Sequence, residues 1–425
     1  MQKTKIIIFS SNFLPDQSAG AVRANEIVNK LIKRNLNLEI VVLTTIPKRY
    51  GMNFSKQYYN YKTLENNNNK LIIKRFWIPY FGNSLYATTI SYIFYFVQAL
   101  SYGLIYRPNI ILGTSAKLLT SFLATCTAKI ANSRLFIDYR DTFIDNYFYF
   151  YRQKKKILLL TFLIFIENFV FKNADSINLV SKGFADALEV INKVKKENCK
   201  ITFFPNSIEQ KYKHKILSST KNKKHKQKSK NSYIAGYFGN LGEGQDILNL
   251  LKNLAKNQKA LKTLKDKEIR INIYGSGSQL RKIINLLEED KNTNKKFKIS
   301  DHVFYKGLIL KDKIHLEYKK LDCLFLQLSK IKSLEMVIPT KLFDYSATNL
   351  PLVYGASGFT KDFIKNIDGS IYFEQLNPIS FVNAIKNSSK INVEKINRNN
   401  FLSTYDSDVI YSKYIEHLIR ESKLI

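Results

Sequence analysis

The chain has 425 residues, of which 45% are hydrophobic, and its 67 Lys and Arg outnumber 34 Asp and Glu to give a formal net charge of +33. This length is too great for one ordinary core and suits two or three domains. The three cysteines, Cys126, Cys199 and Cys323, form no disulfide or metal-binding pattern and fit a reducing compartment. The charge predicts attraction to something anionic, which could be nucleic acid, an acidic membrane or a phosphorylated substrate.

The first half of the sequence alternates predicted strands with predicted helices. The apolar run at 6–9 is too short for a signal peptide and is taken as part of the first strand. Ser181 is the expected cap of the last helix in this half. Strands are predicted at 5–10, 38–44, 70–79, 109–114, 134–139, 176–180 and 201–204, and helices at 22–34, 83–106, 117–131, 154–172 and 181–192. Such alternation is typical of a parallel, doubly wound sheet.

A lysine-rich stretch at 211–230 separates the two halves. It has almost no aliphatic residues, so it is predicted to be a solvated loop. No aromatic interleaving or base-reading motif accompanies it, which argues against nucleic acid as a partner.

The second half repeats the α/β alternation. Two similar halves predict a ligand cleft between them, since such folds bind ligands at the carboxyl ends of their strands. Strands are predicted at 233–238, 268–274, 303–306, 323–328, 352–354 and 369–373, with helices that end at 255 and 287, helices at 311–321, 378–388 and 405–423, and one that begins at 340.

Two segments are candidates for membrane contact. Residues 83–106 are uncharged and of spanning length, but their Ser, Thr, Asn and Gln favour a helix buried in protein. Residues 157–166 are too short to cross a bilayer, although Lys154, Lys155 and Lys156 precede them and aromatic residues crowd 147–151. The interpretation is a helix in the interface of an anionic bilayer, and the alternative is a core helix with a basic cap.

Three glycine-rich turns follow or adjoin predicted strands. They contain Gly20, the run from Gly239 to Gly244, and the pair Gly275 and Gly277. The last pair lacks the third glycine of a dinucleotide fingerprint and the Lys-Ser/Thr of a P-loop. Together the three turns predict close approach of backbone to a bulky anion.

The stretch from Pro339 to Tyr345 predicts a helix start with a lysine and an acid on one face. Pro339 and Thr340 suit a first helical turn, and Lys341 and Asp344 are three residues apart. A helix N-terminus offers N–H donors and a positive dipole end. A phosphorylated sugar carrier would therefore fit here, with the lysine and amides on a diphosphate and the carboxylate on ribose. The alternative is a solvated helix with a surface ion pair.

Taken in order, these segments resemble the GT-B retaining glycosyltransferases of family 4. The resemblance is strongest to the amino-sugar and deoxysugar transferases of O-antigen, capsule and colanic-acid pathways, and it covers nearly the whole chain. The matching motifs are 12–23, the D-x-R-D element at 138–141, A-D-x-I-x-x-V-S at 174–181, P-N-S at 205–207, G-N-x-G-x-x-Q at 239–245, G-S-G at 275–277 and I-P-T-K-L-F-D-Y at 338–345.

The resemblance implies two Rossmann-like domains that face a cleft, at 1–200 for the acceptor and 201–404 for the nucleotide sugar. A helix at 405–425 would return to the first domain. Donor-binding residues would be Gly20, Gly239, Asn240, Gln245, Gly275, Gly277, Thr340, Lys341 and Asp344. Relatives place Arg and Lys where this chain has Asn240 and Gln245, which increases the expected role of Lys341 and the amides at 340 and 341.

Arg140 and Asp141 are the candidate catalytic residues of the first domain, and Lys341 is the candidate of the second. Asp141 would orient or deprotonate the acceptor hydroxyl, Arg140 would hold an acceptor phosphate, and Asp138 could belong to the same group. The alternative is a structural ion pair at a strand end. No metal or other cofactor is expected, because the acidic pair Asp406 and Asp408 is better suited to capping the last helix.

The predicted function is transfer of a sugar from a nucleotide diphosphate sugar to a lipid-linked or oligosaccharide acceptor in bacterial surface polysaccharide synthesis. The resemblance implies retention of configuration and a cytoplasmic enzyme, peripheral at the inner membrane face. A GT-B nucleotide-sugar 2-epimerase, or a basic nucleic-acid- or membrane-binding protein, remains as an alternative.

Overall fold

In the computed structural model the described residues are 3–16, 18–34, 36–47, 62–66, 68–79, 85–114, 118–142, 144, 157–221 and 232–422. The chain forms two compact units. The first unit comprises Met1–Pro205 with Asp408–Ile425, and the second unit comprises Asn206–Ser407. The domain boundaries expected from the sequence were 200/201 and 404/405.

An eight-stranded sheet in the order β3-β4-β2-β1-β5-β6-β7-β8 forms the centre of the first unit. Every neighbouring pair is parallel except β3 and β4, which are antiparallel. The strands are rich in Ile, Val and Leu because both faces of a parallel sheet are covered. They are β1 (Thr4–Phe9), β2 (Leu38–Thr45), β3 (Lys62–Asn66), β4 (Asn69–Phe76), β5 (Ile110–Thr114), β6 (Arg134–Tyr139), β7 (Ser176–Leu179) and β8 (Lys200–Thr202).

Helices cover both faces of this sheet. They are α1 (Ala19–Lys33), α2 (Leu85–Tyr106), α3 (Leu118–Ala131), α4 (Ile157–Asn173) and α5 (Ala185–Val194), together with the C-terminal helix α15 (Ser407–Ser422). Residues of α15, among them Tyr414 and Leu418, are buried in one cluster with Ile27 of α1 and Ile6 of β1. The last helix therefore belongs to the core of the first unit.

The second unit contains a six-stranded, fully parallel sheet in the order β11-β10-β9-β12-β13-β14. Its strands are β9 (Tyr233–Phe238), β10 (Ile269–Tyr274), β11 (Val303–Tyr305), β12 (Cys323–Gln327), β13 (Leu352–Gly355) and β14 (Ser370–Tyr372). Its helices are α6 (Gln210–Lys221), α7 (Ile247–Lys256), α8 (Gln258–Asp266), α9 (Leu280–Lys291), α10 (Ile314–Tyr318), α11 (Thr340–Ser346), α12 (Gly358–Lys365), α13 (Pro378–Ser388) and α14 (Asn399–Thr404). The fold class, two Rossmann-like α/β units, is confirmed.

Several local predictions differ from the structure. The first part of the lysine-rich run at 211–230 is not a loop but helix α6, anchored by buried Ile216, while 222–230 lie outside the described residues. Ser181 does not cap α5, which begins after Phe184; its hydroxyl accepts the Gly183 N–H instead. Strand β3 and helices α8, α12 and α14 were not predicted.

The two candidate membrane segments are α2 and α4 with their flanks. The aromatic residues at 147–151 and the lysines at 154–156 lie outside the described residues. Within the part of the chain that the structure describes, no helix is both long enough and apolar enough to cross a bilayer.

Candidate functional site

The glycine turns after β9 and β10 lie directly against each other. Gly239 has φ +147° and Gly275 has φ +137°, a backbone conformation that residues with a Cβ rarely adopt. A Cβ on Gly275 would lie 1.9 Å from the carbonyl oxygen of Gly239. The Leu241 N–H also donates to the Ser276 carbonyl at 2.9 Å. The sequence predicts close approach of this backbone to an anion, whereas the close neighbour of each turn in the structure is the other turn.

Gly277 and Asn240 meet at the same place. A Cβ on Gly277 would lie 2.6 Å from Asn240 Oδ1 and 2.5 Å from the Leu241 carbonyl carbon. The Asn240 side chain is otherwise exposed, and its backbone carbonyl accepts the Tyr237 hydroxyl at 2.6 Å. The two turns thus form one small platform at the carboxyl ends of β9 and β10.

The Lys341 side chain reaches this platform from helix α11. Its ammonium donates to the Tyr237 hydroxyl at 2.8 Å and to Gln245 Oε1 at 2.6 Å, and it lies 4.2 Å from the Tyr237 ring centre. A Cβ on Gly239 would lie 2.8 Å from Lys341 Nζ. The structure therefore brings six predicted site residues together: Gly239, Asn240, Gln245, Gly275, Gly277 and Lys341.

The surroundings of Lys341 weaken its positive charge. Its hydrogen-bond partners are a neutral hydroxyl and a neutral amide, and burial lowers the pKa of the Lys341 ammonium to about 7. Desolvation disfavours the charged form of an amine unless an anion is nearby. An anion placed at the platform would restore the charge, so the site is suited to a phosphate group.

The loop that carries Gln245 is held by a buried glutamine that sequence analysis did not single out. Gln327, which is fully buried at the end of β12, donates to the Asp246 carbonyl at 2.8 Å. The Ser329 N–H donates to the Gly244 carbonyl at 3.0 Å. Tyr237, which orients Lys341, was also missed, although its position two residues before Gly239 on an alternating strand could have indicated it.

Helix α11 starts where the sequence predicts, with Pro339 at its N-cap. Thr340 is exposed, and within the described part of the chain no acceptor bonds the Thr340 and Lys341 amides. Such unpaired donors are usual in a first helical turn. The backbone there is available for an external acceptor.

Asp344 does not pair with Lys341. One carboxylate oxygen lies 4.0 Å from Lys311 Nζ, and Lys311 also bonds Glu209. Burial opposes the charge of Lys311, but Asp344 and Glu209 outweigh it and raise the pKa of Lys311 above its usual value. The simple ion pair considered for the surface of α11 is therefore not formed, and Lys311 and Glu209 are contacts that the sequence did not predict.

In the first unit Asp138 belongs to a buried structural network. Arg23 Nε donates to Asp138 Oδ2 at 2.7 Å, and Arg23 also donates to the Phe204 and Pro205 carbonyls. Asn178 donates to the same carboxylate at 2.8 Å. Burial opposes ionisation, yet the charge of Arg23 lowers the pKa of Asp138 below its usual range. Asp138 therefore joins α1, β6 and the chain after β8, and is fully used in doing so.

The other predicted residues of the first unit are placed as follows. Arg140 and Asp141 directly follow the carboxyl end of β6, with Arg140 half-buried and Asp141 exposed. Burial lowers the pKa of the Arg140 guanidinium, and the charge of Asp138 partly offsets this effect.

Gly20 is not in a turn before α1. It is the second residue of that helix, because Ser18 caps the helix earlier than predicted.

The described residues contain no group of three or more His, Cys, Asp or Glu side chains placed to hold a metal ion. Asp406, half of the one Asp-x-Asp pair, accepts hydrogen bonds from Gln210 and pairs with Lys213 at 2.6 Å. Asp408 pairs with Lys30. Asp406 therefore contacts helix α6, and Asp408 contacts helix α1.

Residues 218–401 match the family model for glycosyl transferases group 1. This stretch spans most of the second unit and includes the platform, Gln245, Lys341 and Asp344. Over most of its length the second unit is therefore similar to glycosyl transferases group 1. No curated protein that was compared matches the sequence.

Solved structures of the same fold cover the full chain. Sucrose-phosphate synthase from Thermosynechococcus elongatus has 13% identity and a TM-score of 0.68, and the match covers 99% of both chains. HepE from Anabaena, in complex with UDP and glucose, has 13% identity and a TM-score of 0.64 over 98% of this chain and 99% of that one. A glycosyltransferase from Rickettsia africae has 15% identity and a TM-score of 0.59 over 99% and 98%. At these identities the likeness shows the fold, which is the two-domain GT-B fold.

Proposed function

We propose that the protein transfers a sugar from a nucleotide diphosphate sugar to an acceptor. The observation that carries the proposal is the Lys341 ammonium held against the glycine platform by Tyr237 and Gln245. It is supported by the group 1 family match and by the similar structure of HepE in complex with UDP and glucose.

On the donor side, Lys341 and the Thr340 and Lys341 amides would bind the diphosphate. Fixed donors of this kind stabilise the charge that develops on a nucleoside diphosphate leaving group. The backbone of Gly239, Gly275 and Gly277 would line the phosphate position, with Asn240 beside it. Asp344 would accept hydrogen bonds from ribose hydroxyls. The family that the chain resembles has a lysine at the position of Gln245. Lys341, which comes from helix α11, contacts Gln245 and would supply a cation in place of that lysine.

On the acceptor side, Asp141 would orient or deprotonate the attacking hydroxyl, and Arg140 would bind an acceptor phosphate as a bidentate donor. Retention of configuration and independence of a metal ion are carried over from the resemblance to family 4. The residues named here need no metal, because the developing negative charge is met by lysine and backbone amides.

The acceptor class we propose is a lipid-linked or oligosaccharide acceptor in bacterial surface polysaccharide synthesis. The enzyme would act from the cytoplasm, at the inner face of the membrane. The net charge of +33 supports this, since each well-placed basic residue contributes about 1 kcal/mol of attraction to an anionic bilayer.

A thermal-shift screen of nucleotide diphosphate sugars tests the donor assignment. We expect one class of donor to raise the melting temperature of the wild type and not that of Lys341→Ala. The matched control is Lys361→Ala, because Lys361 is also a half-buried lysine, 4.1 Å from the Tyr372 ring centre, but it lies on α12 beside the far edge strand β14. Lys361→Ala should respond to the donor like the wild type. Stabilisation by no nucleotide sugar, or an equal response from Lys341→Ala, would contradict the proposal.

Incubation of the donor without acceptor separates the transferase from a nucleotide-sugar epimerase. A transferase leaves the donor largely unchanged, whereas an epimerase converts it to the epimeric nucleotide sugar.

A further inference from the structure

Large apolar side chains are exposed along the first half of helix α4. Leu158 is 85% exposed and Phe165 is 62% exposed, and Leu159, Phe162 and Ile164 are exposed as well. Burial in this helix starts only at Ile166. A helix that is apolar around its whole circumference is normally covered by protein or lipid. Something other than water is therefore expected to cover this half of α4.

The first half of α2 shows the same property. Ile90, Ile93, Phe94 and Val97 are exposed, and so is Trp77, whose ring packs edge-on against Phe94 at 6.3 Å. Monomeric soluble proteins rarely expose large apolar patches without a binding role.

The two exposed segments belong to helices on one side of the sheet. Helix α3 lies between them, since Phe122 of α3 packs against Phe96 of α2 at 6.0 Å and against Phe169 of α4 at 5.7 Å. We call the exposed side chains of α2 and α4 named above, with Trp77, the apolar patch.

The topology places the apolar patch at a defined edge of the sheet. Helices α2 and α4 lead into the amino ends of β5 and β7, so their first halves lie towards the carboxyl ends of the strands. Trp77 directly follows the carboxyl end of β4. Arg140 and Asp141 follow β6 at this same edge. The apolar patch and the proposed acceptor residues are therefore on one edge of the first unit.

The charges near the patch favour an anionic lipid surface over a protein partner. Helix α2 has no charged residue in its 22 positions, and the one acid of α4, Glu167, is buried and accepts a hydrogen bond from Tyr139 at 2.8 Å. In the sequence, Arg152 and Lys154–Lys156 immediately precede α4. Apolar side chains with adjoining basic residues and no exposed acid on either helix are typical of helices that insert into an anionic interface.

We propose that the apolar patch inserts into an anionic bilayer with the carboxyl edge of the first sheet turned towards the lipid. The acceptor then reaches Arg140 and Asp141 from the membrane, and its sugar is attached to a lipid. The assignment of a lipid-linked acceptor rests on the proposed function, whereas the membrane contact rests on the exposed side chains and on the charge pattern of α2 and α4.

Flotation of the full-length protein with vesicles tests the membrane contact. Vesicles that contain phosphatidylglycerol are compared with vesicles of phosphatidylcholine only. The test variants are Leu158→Glu and Phe165→Glu. Matched controls are Ile105→Glu and Ile130→Glu, since Ile105 is 83% exposed and Ile130 is 65% exposed but both lie at the other ends of α2 and α3, towards the amino edge.

We expect the wild type and both controls to float with the phosphatidylglycerol vesicles and less with the neutral ones. Each test variant should lower the partition coefficient at least about tenfold, because each removes a large apolar side chain from the interface. Flotation that is equal for all five proteins, or absent for the wild type, would overturn the proposal. Concentration-dependent self-association that is lost in Leu158→Glu, without flotation of the wild type, would also overturn it and assign the patch to a protein partner.

Donor-induced thermal stabilisation separates this proposal from the proposed function. The test variants should keep the stabilisation by nucleotide sugar, because the donor residues are in the second unit. Wild-type flotation without stabilisation by any donor would refute the transferase and leave the membrane contact supported. Stabilisation by a donor without flotation would refute the membrane contact and leave the transferase supported.

Discussion

Donor affinity should fall as the pH rises through the pKa of Lys341. Burial beside neutral Tyr237 and Gln245 lowers this pKa to about 7, from a usual value of 10.5. Below it the side chain is an ammonium ready to bind a diphosphate. Above it the free enzyme holds a neutral amine, and donor binding must take up one proton.

The size of the effect follows from one charge-assisted hydrogen bond. Such a bond contributes about 1.5–3 kcal/mol, which corresponds to about 10–150-fold in the dissociation constant. The constant should rise by up to about tenfold per pH unit above the pKa until binding to the neutral amine takes over. The diphosphate of a nucleotide sugar stays fully ionised across this range, so the titrating group belongs to the protein.

Isothermal titration calorimetry between about pH 6 and about pH 9 measures the effect, since it gives the dissociation constant and, from buffers of different ionisation enthalpy, the protons taken up. Lys341→Arg is the control, because arginine keeps its charge throughout and should bind the donor with little pH dependence. The reasoning is refuted if the wild type binds with the same affinity and no proton uptake across the range. It is also refuted if Lys341→Ala shows the wild-type pH profile.

Three further changes have expected outcomes. Gly275→Ala should destabilise the second unit by about 1–3 kcal/mol or more in urea unfolding and abolish donor stabilisation, since its Cβ would clash with backbone. Gly307→Ala also has a positive φ, of +87°, but its Cβ meets no atom within 4 Å, so it should cost only the backbone strain that both positions share. Asp138→Ala should cost about 3–5 kcal/mol of unfolding free energy because it leaves Arg23 buried without its carboxylate; a loss below about 1 kcal/mol would show that the pair is not structural. Asp344→Asn should weaken donor binding about tenfold or more in calorimetry, beside some loss of unfolding free energy because Lys311 loses one of its two carboxylates, and an unaltered affinity would remove Asp344 from the ribose assignment.

The strand and helix predictions succeeded where the apolar pattern was strong. Strands β6 and β9 and helix α13 have the predicted bounds, because parallel strands are nearly continuous apolar runs and α13 has an Asn-Pro start. Helix α6 was not predicted because its few apolar residues, such as Ile216, are interspersed with lysines and show no clear helical periodicity. The predicted position of Gly20 was wrong because Ser18 caps the helix, which therefore begins at Ala19 and not at the predicted Val22.

The candidate site combines residues that the sequence singles out with contacts that only the structure shows. The sequence singled out Gly239, Gly275 and Lys341 because glycine turns after strands and a lysine at a helix start suit an anion. The structure brings the three residues together, and their role in donor binding stays a prediction. It could not show that Lys341 Nζ bonds Gln245, 96 residues away in the chain, or that Asp138 is paired with Arg23, 115 residues away. Contacts at such separations depend on how the sheet is assembled and leave no local pattern.

The sequence by itself determined the two-unit α/β architecture and the polar residues that end its strands, because periodicity and turn chemistry act over a few neighbouring residues. Only the tertiary structure decided which of those residues meet, which charges are desolvated, and which apolar side chains stay exposed. Burial depends on the packing of distant elements, and for that reason the pKa of Lys341 and the exposure of Leu158 and Phe165 follow from the fold alone.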